Sequence, residues 1–407
     1  MLLKKIKLRN FRNYGEQDID FNGRVNFIYG ENGHGKTNIL EAVSYISYGK
    51  SFLGSTEEDC LRFGEKEFCI EGTLENDLNN EFRVSLSYSS DLKKKTFLLN
   101  KEKVSSYSAE IFGKFPVVFF SPHSFDITYG NPSDRRRFFD ILISMSNRLY
   151  LDYLKELNKI LRLKNSLLKN YNQSASYTDS ELNHLLDTYN EKLVEVSSEI
   201  IFRRLAFMQE FRNYFLDNFS MLVKEPAFPR INYYSEIFYG FEKNNNRAGE
   251  LNHDFSPDTS FKELIQSGMN RFLSEKRKEE IIRRVSVIGP HRDDYIFRLS
   301  KNILNNLDEA FEIKTHASQG EHKTFIIALK LAEFDYLKTK KGLNPVMLLD
   351  DLLSELDFGR VEKVISHLNE FGQIFLTTTD LSYRDRLKNF YNESDISYFM
   401  VVNGSVQ

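Results

Sequence analysis

The eight residues Gly30-Glu31-Asn32-Gly33-His34-Gly35-Lys36-Thr37 constrain this chain more than any other feature, because they satisfy G-x-x-x-x-G-K-[ST] in a defined setting. The alternation Arg24-Val25-Asn26-Phe27-Ile28-Tyr29 before them predicts a strand, and Ile39, Leu40, Val43 and Ile46 after them recur at helical spacing. In such a strand–turn–helix unit the glycines let the backbone wrap closely, so that its N–H groups converge on a phosphate at the positive end of the helix dipole. Lys36 is then expected to reach the β- and γ-phosphates of a nucleoside triphosphate such as ATP, and Thr37 to hold Mg2+.

A second acidic motif stands far away. Pro345-Val346-Met347-Leu348-Leu349-Asp350-Asp351 is a short apolar run ending in two acids, the pattern by which a buried parallel strand delivers carboxylates to the edge where α/β sheets bind ligands. Asp350 is expected to complete the Mg2+ shell, and Asp351 to polarise or deprotonate an attacking water. Most of the chain separates Lys36 from Asp350, so something is inserted between them. From about Ser133 the apolar period changes: Leu142, Met145, Leu149, Tyr153, Leu157, Ile160 and Leu167 mark one helical stripe. Leu182, Leu186, Tyr189, Leu193, Val196, Ile200, Phe207, Phe211 and Tyr214 mark a second, interrupted at Arg203-Arg204. Steps of three and four residues suit either an antiparallel coiled coil or two ordinary amphipathic helices. A loop is expected from Pro226 to Ser260 and a charged helix from Ser260 to Arg284, with strands and helices alternating again from Val285. The expected division is therefore 1–133, 134–284 and 285–407: an α/β head, an inserted helical arm, and the rest of the head.

Size and composition agree with two lobes. The 407 residues exceed the roughly 250–300 that one core supports. A hydrophobic content of 41% is too high for a disordered chain, and a net charge of -3 gives no bulk cationic excess that would announce nucleic acid. Two cysteines, Cys60 and Cys69, support neither a disulfide framework nor a zinc site. No stretch reaches signal-peptide or membrane-span character, so a cytoplasmic protein is expected.

Ahead of the acidic strand lies Ala317-Ser318-Gln319-Gly320-Glu321 and then a helix carrying Phe325, Ile326, Leu329 and Ala332. This order of motifs resembles the ABC-type ATPases of the SMC, Rad50 and RecF group, with a P-loop ATPase head split by a short antiparallel coiled-coil arm. Four strings are similar to the RecF family in particular: Leu8-Arg9-Asn10-Phe11-Arg12-Asn13-Tyr14, Gly130-Asn131-Pro132-Ser133-Asp134-Arg135-Arg136-Arg137-Phe138, Gly289-Pro290-His291-Arg292-Asp293-Asp294, and Ser354-Glu355-Leu356-Asp357. The resemblance implies that Ser318 and Gly320 form a signature motif touching the γ-phosphate bound by a second copy, with Asp357 across the same interface. It further implies an ATP-dependent homodimer with weak, slow ATPase activity acting as a release switch. Binding at single-strand/double-strand DNA gaps, help in loading RecA, and the partners RecR and RecO are also implied by the resemblance. Pro122-His123-Ser124-Phe125 departs from the family's usual Pro-Glu-Asp-Leu, and Leu53 stands where a basic residue is frequent.

DNA contacts are expected to follow shape and backbone, since no base-reading module is visible. The candidate cations are Arg135, Arg136 and Arg137, and Lys276, Arg277 and Lys278, with Lys93-Lys94-Lys95 a further basic cluster. Each could equally lie on a solvated helix face, and Arg135 to Arg137 could tie helix to head. A transporter ATPase subunit would lack the insertion and carry a switch histidine. The alternative reading is a non-transport ABC-type scaffold whose partner is a protein rather than DNA.

Overall fold

The computed structural model describes residues 1–21, 24–76, 79–171, 178–223, 225, 227–239, 249–251, 257–258, 260–301, 310–352, 363–364 and 372–407. Residues 1–125 with 330–407 form one compact unit, and 126–329 a second.

In the first unit two six-stranded sheets share a core. One is built from strands in the order Ser405–Val406, Ile396–Val402, Val25–Tyr29, Ile374–Thr378, Val346–Asp350 and Val117–Phe120. Every pairing is parallel except the terminal hairpin between Ile396–Val402 and Ser405–Val406. Its inner strands are continuous apolar runs such as Val-Val-Phe-Phe and Val-Met-Leu-Leu-Asp, buried along their whole length, as a sheet covered on both faces requires. The other sheet, ordered Tyr14–Asp20, Leu2–Phe11, Glu67–Glu75, Glu81–Ser89, Lys94–Leu99 and Glu102–Lys103, is antiparallel throughout. Its strand Glu67–Glu75 alternates buried and half-exposed residues, so one face packs inward. The helix Lys36–Tyr48 contributes Ile39, Leu40, Val43 and Ile46 to the core, with Ile6, Leu8, Ile70, Leu348 and Phe375. Gly72 lets that helix approach: a Cβ there would stand 2.3 Å from Ile46 Cδ1. Gln373 links the two sheets, donating to Leu3 C=O at 2.9 Å and accepting from Leu3 N–H at 2.7 Å.

The second unit holds the helices Pro132–Ser146, Arg148–Asn170 and Asp179–Leu222, the latter two packed on each other, and an antiparallel sheet ordered Glu250–Leu251, Phe228–Tyr234, Asp294–Ser300 and Phe311–Glu312. The helix Asp179–Leu222 has 44 residues, about 66 Å of length, and starts at a capping box between Thr178 and Glu181. Phe139 seats the helices on the sheet, its ring 4.1 Å from that of Tyr295.

Three sequence expectations change here. The first stripe is two helices, because Asn147 is extended and its side chain caps the second by accepting from Tyr150 N–H; Leu149, just past the break, is exposed. The expected loop from Pro226 to Ser260 contains the strand Phe228–Tyr234, whose Pro229 conceals its alternation; it pairs with Asp294–Ser300 over seven residues. That pairing also moves the boundaries. The units divide at 125/126 and 329/330 rather than 133/134 and 284/285, since residues after Val285 complete the sheet of the second unit. The gap in the second stripe at Arg204 is a buried guanidinium bonded to Asp140 at 2.9 Å and to Pro290 C=O at 2.8 Å.

Candidate nucleotide site

The candidate loop leaves the C-terminal end of Val25–Tyr29 and enters the helix Lys36–Tyr48, as its sequence predicts. Gly30, Gly33 and Gly35 have φ of 154°, 80° and 113°, a region that disfavours any side chain. Space forbids one at two of them: a Cβ on Gly30 would lie 2.3 Å from Val401 O, and one on Gly35 2.6 Å from Asn13 Nδ2. Glu31, Asn32 and Gly33 are exposed at the tip of the loop. Glu31 lies 3.6 Å from His34 Nε2, and His34 Nδ1 is 3.3 Å from Val401 O. Lys36 Nζ donates to Gly30 C=O at 2.8 Å and to Glu31 C=O at 2.9 Å. Burial lowers the Lys36 pKa, while the charges of Asp351 and Asp350 oppose that shift.

Asp350 and Asp351 emerge at the same sheet edge, one strand removed from the loop. Thr37 Oγ1 donates to Asp350 Oδ1 at 2.9 Å, and Thr377 Oγ1 donates to the same oxygen at 2.8 Å. Burial raises the Asp350 pKa, and those two hydroxyls pull it back. Thr377 Oγ1 also accepts from Asp351 N–H at 2.9 Å, where the backbone turns into a left-handed conformation with φ of 49°. A hydroxyl and a carboxylate in contact beside a phosphate cradle are hard oxygen donors, so these residues fit Mg2+, which takes one or two protein oxygens and completes its shell with phosphate and water. Among the described residues no cluster of three or more His, Cys, Asp or Glu could hold a metal by itself.

Ser318 lies in the second unit, exposed, just before the helix Gln319–Lys341. Its hydroxyl donates to Glu321 Oε2 at 2.8 Å and accepts from Glu321 N–H at 3.3 Å, a capping box that fixes the turn. Burial would raise the Glu321 pKa, but Ser318 N–H and Lys301 hold it below its ordinary value. Gly320 C=O accepts from Thr324 Oγ1 at 2.8 Å. Asp357, with the rest of Ser354-Glu355-Leu356-Asp357, lies outside the described residues.

Most of the candidate DNA cations are committed elsewhere. Arg135 is buried and grips Asp294 through two bonds of 2.8 Å, and Arg136 donates to Asp293 C=O at 2.5 Å. Lys276 sits between Glu236 and Glu279 at 3.3 and 3.1 Å, and Arg277 pairs with Asp187. Each of these four cations has an acid or carbonyl of its own unit within reach. Arg137 and Lys278 are exposed.

Sequence reasoning missed the residues that surround the loop. Asn13 Nδ2 donates to His34 C=O at 2.8 Å, Tyr14 Oη to Gly35 C=O at 3.0 Å, and Asn38 Nδ2 to Asn13 Oδ1 at 2.8 Å. Arg12 binds the buried Glu41 with two 2.7 Å bonds. The only signal for them is the string Asn10-Phe11-Arg12-Asn13-Tyr14, in which two non-glycine residues, Asn10 and Arg12, adopt positive φ. Ser124, in the divergent Pro122-His123-Ser124-Phe125 segment, closes a tight turn by accepting from Ser121 N–H at 3.1 Å.

Among the described residues no helix is long and apolar enough to cross a membrane. The sequence model of the RecF/RecN/SMC N-terminal domain family matches residues 2–392. A DNA replication and repair protein RecF from Chlorobium phaeobacteroides is 35% identical over 380 residues, covering 93% of this chain and 96% of the relative. RecF from Cytophaga hutchinsonii is 32% identical and covers 100% of this chain and 97% of the relative. A solved structure of the recombination mediator protein RecF with ATP, in the RecFOR pathway, superposes with a TM-score of 0.81 at 29% identity, covering 100% of this chain and 96% of that one. An SMC head bound to the C-terminal winged-helix domain of ScpA, at 13% identity and a TM-score of 0.52 over 100% of this chain and 97% of that one, shares the fold. The fold is thus that of an ABC-type ATPase head with an inserted helical arm, and the chain belongs to the RecF family of the RecF/RecN/SMC group.

Proposed function

We propose that this protein is an ATP-dependent DNA-binding protein of recombinational repair and replication restart. ATP binds at Gly30 to Thr37, with Lys36 donating to the β- and γ-phosphates and the loop amides converging on them. Mg2+, held by Thr37 and Asp350, neutralises charge on the phosphate oxygens when bound. Asp351 takes the proton of the attacking water. Ser318 and Gly320 of one copy meet the γ-phosphate held by another, with Asp357 across the interface, so ATP joins two copies and its slow hydrolysis releases them. The observation that carries the reading is the meeting of Thr37 and Asp350 at 2.9 Å, which unites motifs from distant parts of the sequence.

The DNA partner is a gapped or single-stranded substrate met without sequence preference, and the paired helices Arg148–Asn170 and Asp179–Leu222 act as the arm. Arg137 and Lys278 are the candidate phosphate contacts, being the exposed members of their clusters. The family's partners RecR and RecO, RecA loading and a cytoplasmic location belong to the same proposal. ATP-bound RecF relatives in the RecFOR pathway support it.

Light scattering after size exclusion, with and without ATP and Mg2+, tests the switch. The wild type should double in mass with ATP, Ser318→Arg should stay monomeric, and Asp351→Asn should hold the dimer longer. A wild type that stays monomeric overturns it. Equal affinity for gapped, single-stranded and blunt duplex DNA would sink the junction reading and favour a protein partner.

A further inference from the structure

A loop that aims its N–H groups inward at an anion must aim carbonyls outward, and each outward carbonyl needs a donor. Those of Gly30 and Glu31 are met from inside the motif, by Lys36 Nζ. Those of His34 and Gly35 are met from outside it. His34 C=O accepts from Asn13 Nδ2 at 2.8 Å and from Gly404 N–H at 3.0 Å; Gly35 C=O accepts from Tyr14 Oη at 3.0 Å. Asn13 is itself oriented, since its Oδ1 accepts from Asn38 Nδ2 on the helix that follows the loop.

The turn Asn403-Gly404 between Ile396–Val402 and Ser405–Val406 is shaped for this contact. Both residues have positive φ, 48° and 76°, and a Cβ on Gly404 would lie 2.3 Å from Asn13 O. The hairpin is anchored independently where Val406 N–H donates to Gln17 Oε1 at 3.0 Å. Two segments from opposite parts of the sequence therefore converge on one peptide group, the one joining His34 to Gly35.

We propose that Asn13 and Gly404 are positioning residues that brace the phosphate-binding loop from outside, fixing the His34–Gly35 peptide so that the Gly35 and Lys36 amides face the bound phosphate. This rests on the ATP-binding reading and deepens it. Both act through the carbonyl of His34. A brace of this kind sets how much of the binding energy is spent ordering the loop, so its loss weakens affinity and leaves the chemical step of the assembled complex alone.

Asn13→Asp tests it with little change in volume: the acceptor for Asn38 remains, while the donor to His34 becomes an oxygen facing a carbonyl. KM for ATP should rise about tenfold, one hydrogen bond's worth, with kcat within about twofold. Gly404→Ala, which crowds Asn13 from the other side, should do the same. In nucleotide-free protein, hydrogen exchange across residues 30–38 should speed up about tenfold in both variants while exchange across Val346–Asp350 stays unchanged. An unchanged rate across 30–38 in both folded variants overturns the brace, as does a fall in kcat with KM unaltered. Wild-type protein that binds no ATP would instead overturn the functional reading, and the exchange measurement would still decide the brace.

Discussion

Two buried lysines show how differently the two units use charge. Lys164 in the second unit is fully buried and held by Glu280 at 2.7 Å; Glu280 also accepts from Ser286 Oγ at 3.0 Å and Val287 N–H at 3.1 Å. Lys36 in the first unit is 7% exposed, and its hydrogen bonds go to two backbone carbonyls of its own loop. Burial lowers the pKa of both, but the opposing charge is in direct contact with Lys164 and acts on Lys36 only from Asp351 and Asp350 across the site. A lysine closed onto a carboxylate is spent on structure. One that rests on carbonyls can exchange them for phosphate oxygens.

Exchanging each lysine for methionine should produce opposite phenotypes. Lys164→Met leaves Glu280 buried and uncompensated and should cost about 3–5 kcal/mol in urea unfolding. Lys36→Met removes a partly desolvated charge and should change stability by less than about 1 kcal/mol. It should nevertheless weaken ATP at least about 100-fold in equilibrium titration, the loss of two charge-assisted hydrogen bonds. Equal stability losses would erase the distinction between the two sites.

The same contrast explains what could be read in the sequence. The loop at Gly30 to Thr37 and the acidic strand at Asp350 were legible because chemistry at those points dictates residue type and local spacing, and a β-strand ending in acids carries its own signature. Arg204 was visible only as an interruption in a heptad-like stripe. Its partners Asp140 and Pro290 are distant in sequence, so nothing local announces a buried ion pair. The Asn13 and Gly404 contacts were illegible for the same reason, being fixed by sheet order rather than by neighbours in the chain. Three consecutive arginines suit a phosphate contact or a structural tie equally in the sequence, and only the partners, the Asp294 carboxylate for Arg135 and the Asp293 carbonyl for Arg136, show what each of these two bonds.

Those arginines sharpen the comparison further. Arg135→Ala breaks a buried bidentate pair with Asp294 and should cost about 3 kcal/mol, read as a lower midpoint in urea. Arg137, two positions on and exposed, should be silent in that experiment. If it meets DNA, Arg137→Ala should weaken all substrates alike and reduce the slope of log affinity against log salt by about 1. A salt slope that falls for neither Arg137→Ala nor Lys278→Ala would move the DNA contacts away from both clusters.

The smallest effect tests how tightly the second unit's closed network is balanced. His291 and Asp293 lie two residues apart, and burial moves them in opposite senses. The His291 imidazole falls to about 4, aided by nearby Arg292, Arg136 and Lys164. The Asp293 carboxyl rises to about 6, against the pull of Arg204 and hydrogen bonds from Ser235 and Tyr233. Because the folded His291 binds fewer protons than the unfolded chain between about pH 6.5 and 4, its share of stability is lost on acidification. Asp293 binds more protons when folded between about pH 3.8 and 6, so its share grows on acidification and is lost as pH rises through about 6. The two nearly cancel in the wild type. His291→Gln should uncover the Asp293 contribution, gaining on the order of 2 kcal/mol relative to wild type as pH falls from 7 to 4. Asp293→Asn should lose a similar amount over the same range. Parallel stability curves for wild type and His291→Gln would mean that the imidazole titrates freely, and that the network around Arg204 is more open to water than its burial indicates.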